Sequence, residues 1–160
     1  MRIRFVFILF LCCTLGLAQV EINSIEDLAE LDIFETIVPT SAKPSTGYFN
    51  ETYIEQIGQN STVQVTTDTD KSNITVLQKG ADNQFALNVV ARSYNGLFVQ
   101  IGNQHRFSEY MNNPSQIIET QLLQEGSGQQ LIIHNRNSLS DGLKIKMSGE
   151  SQSVVIRNFN

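Results

Sequence analysis

Cysteine is nearly missing from this chain: the only two, Cys12 and Cys13, lie inside a short apolar leader. That leader has a basic start (Arg2, Arg4), an apolar run from Phe5 to Leu17 and small residues Gly16 and Ala18 before Gln19. It reads as a secretory signal peptide spanning residues 1–18, because the run is well short of the ~20 residues needed to cross a bilayer. Its removal would take both cysteines with it, excluding disulfides, thiolate zinc sites and cysteine nucleophiles from the exported protein. Tryptophan is absent, and basic residues are scarce, with 11 Lys and Arg against 16 Asp and Glu. Without Arg2 and Arg4 the mature chain is more acidic still, which argues against nucleic acid as a partner.

Neutral amides, by contrast, are abundant: 14 Gln and 14 Asn in 160 residues. They are concentrated after residue 50. Residues 19–49 are instead an acidic segment, where Glu21, Glu26, Asp27, Glu30, Asp32 and Glu35 face only Lys43. Ser24 and Asp27 resemble a helix start, and Ile25, Leu28, Leu31 (or Ala29) and Phe34 fall roughly on one helical face, so a short helix over about 25–36 is expected. Pro39 and Pro44, with nearby Ser, Thr and Gly, then form a linker.

From residue 50 the chain repeats itself. Gly58, Gly80, Gly102, Gly126 and Gly149 are spaced by 22, 22, 24 and 23 residues. Two residues before each glycine stand Gln56, Gln78, Gln100, Gln124 and Met147; four before stand Ile54, Val76, Phe98, Leu122 and Ile145. Three residues after come Ser61, Asn83, His105, Gln129 and Gln152; five after, Val63, Phe85, Phe107, Leu131 and Val154; seven after, Val65, Leu87, Glu109, Ile133 and Ile156. Period-two alternation on both sides of a glycine turn predicts strand, turn, strand, as a β-arch or hairpin-like unit.

One such unit cannot bury its apolar side, so the five must stack. The expected fold is all-β: a five-rung β-solenoid at 50–160, divided at about 50–71, 72–92, 93–114, 115–137 and 138–160. Stacking at a strand spacing of ~4.8 Å gives apolar columns as core and amide columns free to bond up the stack. Glycine supplies positive φ or close approach at each turn. Glu109 falls in an apolar column, and a bulge beside Tyr110 and Met111 is expected to turn its carboxylate outward.

The spacing of Ser72, Gln78, Gly80, Asn83, Phe85 and Leu87 in the second unit resembles the curlin repeat of bacterial curli amyloid fibres. The resemblance covers residues 50–160 and the leader. It implies export through an outer-membrane secretion channel with accessory proteins, assembly into extracellular fibres for adhesion and biofilm, and recognition of the acidic segment by that machinery. The family has a major fibre subunit and a minor, nucleating one. Few glycines, bulky Phe85, Phe98 and Phe107, and a divergent, basic last repeat carrying Lys144, Lys146 and Arg157 look more like the minor subunit. Such a subunit would partner a major curlin and copies of itself, and the three basic residues would anchor it at the outer-membrane surface. The chain departs from the pattern in that repeats one and three lack the Ser, and Ser61, His105, Gln129 and Gln152 replace the Asn.

Two further readings stay open on the fibre side and beyond it: a major fibre subunit, and a capped, non-polymerising β-solenoid adhesin. Enzymatic function finds little support. His105 sits in an amide column and His134 is expected to face solvent, while no Ser/His/Asp set, phosphate loop or carboxylate pair stands out. No cofactor or metal is implied, since Asp70, Asp82 and Asp141 lack calcium-loop spacing.

Overall fold

The computed structural model describes residues 50–159; the expected signal peptide, acidic helix and linker lie outside them. Ten strands follow in order: β1 (Asn50–Gln59), β2 (Thr62–Val65), β3 (Asp68–Ala81), β4 (Gln84–Asn88), β5 (Val90–Asn103), β6 (Arg106–Tyr110), β7 (Asn113–Ser127), β8 (Gln130–His134), β9 (Leu143–Glu150) and β10 (Ser153–Arg157). They form two five-stranded sheets, β1-β3-β5-β7-β9 and β2-β4-β6-β8-β10. Every pairing is parallel. The two strands of a rung belong to opposite sheets, so the unit is an arch and not a hairpin. Five arches stack into a β-solenoid.

Register follows the sequence columns. Ile54 pairs with Val76, Val76 with Phe98, Phe98 with Leu122 and Leu122 with Ile145. In the second sheet Val63, Phe85, Phe107, Leu131 and Val154 align in the same manner. A one-residue slip would turn each apolar column to the outside, which is why the buried face fixes the register. The core lies between the sheets and is centred on Phe85, Phe98 and Phe107, whose ring centroids are 4.8–5.0 Å apart. Room for these rings comes from Gly96, where a Cβ would lie 2.5 Å from a Phe98 ring carbon and 2.8 Å from one of Tyr94. Leu77, Val99 and Leu123 form a further column on the outward face of the first sheet and are also buried.

The irregular glycine spacing has a local cause. Ala91 pairs with Asn113, but Ser93 pairs with Ile117, so two extra residues are taken up in β7 beside Pro114. A proline without an N–H is tolerated at such an irregularity. Past β8, residues 135–142 leave the sheet, make a 3-10 turn at Ser138–Ser140 capped by Asn137, and rejoin it at Leu143 opposite Thr120.

The turn glycines serve both purposes named above. Gly80 has φ +124, and a Cβ on it would stand 1.9 Å from the carbonyl oxygen of Gly102 in the next rung. Gly142, in contrast, has φ +67 with open space around it. Gly80→Ala is therefore expected to cost about 3 kcal/mol or more, through strain and a backbone collision. Gly142→Ala should cost only about 1 kcal/mol. Urea unfolding of the freshly purified variants checks this, and equal midpoints would refute the close-approach argument.

Candidate functional site

The first polar column is a continuous amide ladder. Gln56 Nε2 donates to Gln78 Oε1 at 2.7 Å, Gln78 to Gln100 at 2.6 Å, and Gln100 to Gln124 at 2.8 Å. Each buried amide also donates to the carbonyl of a second-sheet residue: Gln78 to Thr62, Gln100 to Gln84 and Gln124 to Arg106, at 3.3–3.4 Å. Gln78, Gln100 and Gln124 are buried, and these bonds are what make burial of an amide tolerable. The ladder ends at Met147, with Gln124 Nε2 3.8 Å from its Sδ.

The second polar column works differently. Asn83 donates to Gly102 O at 2.8 Å and accepts from the His105 N–H at 3.1 Å. Gln129 Nε2 donates to the carbonyls of Glu125 and Gly149 at 2.8 and 3.1 Å. These side chains bond to turn backbone and not to one another, so here the polar residues fasten the arches. Gln152, on the last rung, is exposed. His105 Nε2 lies 3.1 Å from Ile101 O, while its buried Nδ1 has no partner. Burial lowers the His105 pKa below its ordinary 6.5, against the opposing pull of the Ile101 and Gly126 backbone. His134 is exposed.

Glu109 requires a correction. It stays in register between Leu87 and Ile133, faces inward and is 2% exposed; no bulge turns it out. The reason is Arg136, wholly buried, which sits in the connection after β8 and returns its guanidinium to the core. Arg136 Nε donates to Glu109 Oε1 at 2.8 Å and Nη2 to Oε2 at 3.2 Å. Nη2 also donates to Thr120 Oγ1 at 2.9 Å and Nη1 to Ser140 O at 3.0 Å, while the Tyr94 hydroxyl donates to Glu109 Oε2 at 2.8 Å. Burial and the adjacent carboxylate hold the Tyr94 hydroxyl well above its usual pKa. The signal for Arg136 was Glu109 itself: a carboxylate in an apolar column demands a cation within reach.

The two ends of the stack differ from its middle. Ile54 is 45% and Val154 38% exposed, although both belong to inward columns. Among the described residues, β1 and β2 at one end, and β9 and β10 at the other, each pair on one side only. Lys144 and Lys146 alternate outward from the first sheet; Arg157 projects from the opposite sheet, so the three basic residues do not form one patch. On the outer face of the second sheet, Gln64, Gln84, Arg106 and Gln130 border a shallow depression of about 400 Å3. Among the described residues, no group of three His, Cys, Asp or Glu side chains is placed to hold a metal. No protein-family model, curated protein or solved structure matches the chain.

Two consequences are measurable. Arg136→Met leaves the Glu109 carboxylate buried and unpaired, and should lower stability by about 3–5 kcal/mol. Adding Glu109→Leu should recover most of that loss in urea unfolding; a double variant as unstable as the single one refutes the pairing argument. For His105, a folded pKa below 6.5 means that the unfolded chain binds the proton more readily. Its contribution is complete above pH 6.5 and is lost as pH falls below that value. His105→Gln should flatten the decline in stability between pH 7 and pH 5, and an unchanged slope would exclude the histidine as its source.

Proposed function

We propose that the chain is a structural subunit of an extracellular amyloid-type fibre, resembling the minor curlin that nucleates polymerisation and holds the fibre at the cell surface. One observation carries this reading: among the described residues, the end strands β1, β2, β9 and β10 each have one unpaired edge, and the inward Ile54 and Val154 are partly exposed there. No element among the described residues covers either edge. An open parallel rung displays backbone donors and acceptors at the spacing of the next strand, together with apolar and amide columns that select its register. Repeat proteins that remain soluble protect such ends.

The proposed partners are a major subunit with equivalent columns, further copies of this chain, and the export channel implied by the resemblance. Lys144 and Lys146, exposed on the last rung, suit contact with an anionic outer surface, with Arg157 contributing from the other sheet. The reading calls for no catalytic residue and no cofactor.

The test is amyloid-dye kinetics of residues 19–160, alone and added in trace amounts to freshly purified major curlin from the same source. Abolition of the lag phase is the expected result. Rapid self-assembly without an effect on the partner would instead identify a major subunit. A chain that stays monomeric and dye-silent for days, and leaves the partner unchanged, would be a soluble binding module.

A further inference from the structure

The outer face of the second sheet has a charge of its own. The strands β2, β4, β6, β8 and β10 contain one acidic residue, Glu109, and that one faces inward. The whole chain, by contrast, has 16 Asp and Glu against 11 Lys and Arg, and the first sheet sets Glu51, Glu55 and Glu119 on outward positions. The arginines of the second sheet, Arg106 and Arg157, are both exposed, and neither has an ion-pair partner among the described residues. Asp82 lines a neighbouring depression at the turns together with Arg106 but makes no ion pair with it. Relief adds to charge. Alternation along β4 and β6 puts the short Ala86 between Gln84 and Asn88, and the short Ser108 between Arg106 and Tyr110. Parallel register stacks these residues into a low floor with two higher banks, so the depression of about 400 Å3 is a trough running across the strands from β2 to β8.

We infer that this trough binds an acidic polysaccharide, a chain of sugars bearing carboxylates, laid along the stack. The Arg106 guanidinium is a planar fork that matches a carboxylate with two parallel hydrogen bonds. Gln84, Ser108 and Gln130 each donate and accept, as sugar hydroxyls do, so both directions of every such contact can be met. Tyr110, 50% exposed on the opposite bank, offers an apolar ring with a polar tip to the body of a sugar. A carboxylate approaching this face meets no like charge on it, whereas the first sheet would repel one through its outward glutamates. Charge density disfavours nucleic acid. Duplex DNA carries one charge per ~1.7 Å of axis, while the trough offers one guanidinium over four strands, a length of roughly 14 Å. The site is on the flank of the solenoid, so it stands whether or not the ends polymerise.

The experiment measures binding of polygalacturonate to the immobilised full chain, with dextran as the neutral polymer and single-stranded oligo-dT as the nucleic-acid probe. R106Q is expected to weaken polygalacturonate binding at least about tenfold, and R106K by less, because an ammonium keeps the charge but not the fork. S108F fills the floor of the trough while leaving Arg106 in place, and a loss similar to that of R106Q is expected. Arg106 and Ser108 are both exposed, and urea midpoints check that their variants fold. K79Q removes one positive charge from the exposed outer face of the first sheet and is expected to bind as the unsubstituted chain does. Absence of polygalacturonate binding, equal losses in R106Q and K79Q, or dextran bound as tightly overturns the inference. Tighter binding of oligo-dT than of polygalacturonate also overturns it, and assigns the trough to nucleic acid.

Discussion

Parallel rungs about 4.8 Å apart place every side chain directly over its counterpart, and that spacing governs the rest of the molecule. Each column must solve its own chemistry, because a residue's neighbours above and below are its own equivalents. An apolar column does so by contact, as Phe85 and Phe107 do with centroids 5.0 Å apart. An amide column does so by donating one way and accepting the other, as from Gln56 to Gln124. The turn glycines follow from the same constraint, since the carbonyl of the next rung occupies the place of a Cβ. Like charges have no such solution, which accounts for a core whose columns are amide, aliphatic or aromatic.

Glu109 and Arg136 show how the constraint is relieved when a column contains a charge. The carboxylate cannot be satisfied by Leu87 or Ile133, its stacked neighbours, so the cation comes from outside the repeat. Arg136 reaches it because residues 135–142 abandon the strand path, and β9 starts only at Leu143. Loss of part of the fifth long strand and gain of a buried, bidentate ion pair are two sides of one rearrangement. Replacing such a pair with apolar residues is often neutral in energy, so its value lies in specificity: it ties the last connection to the middle rungs in one arrangement.

Most of the architecture was legible in the residues, because period-two alternation and glycine spacing report directly on pleat and stacking. The matching offsets of Ile54, Val76, Phe98, Leu122 and Ile145 translate into register without further information. Other features were hidden because they depend on contacts outside the column rule. The longer interval before Gly126 and Pro114 pointed to an irregularity near that proline, but not to its sheet, since Pro114 in β7 and Tyr110 in β6, where the bulge was expected, lie close in sequence yet in different sheets. The second polar column looked equivalent to the first, but Asn83 and Gln129 sit at the turns, where unpaired backbone groups compete for their amides. Nothing in the alternation distinguishes these two uses of Gln and Asn.

A stack of equivalent rungs has no inherent reason to stop, so its ends are defined only by where the columns change chemistry. The apolar columns change little, from Ile54 and Val63 at one edge to Ile145 and Val154 at the other. The ladder changes completely, from an amide at position 56 to a thioether at 147. An apolar contact is indifferent to direction, whereas a hydrogen-bonded column is not, because each bond needs a donor on one side and an acceptor on the other. The outward column of the first sheet changes as well, from Glu55 on the first rung through buried Leu77, Val99 and Leu123 to Lys146 on the last. The first and last described rungs are therefore chemically unequal in more than one column, with Met147 closing the ladder inside the core.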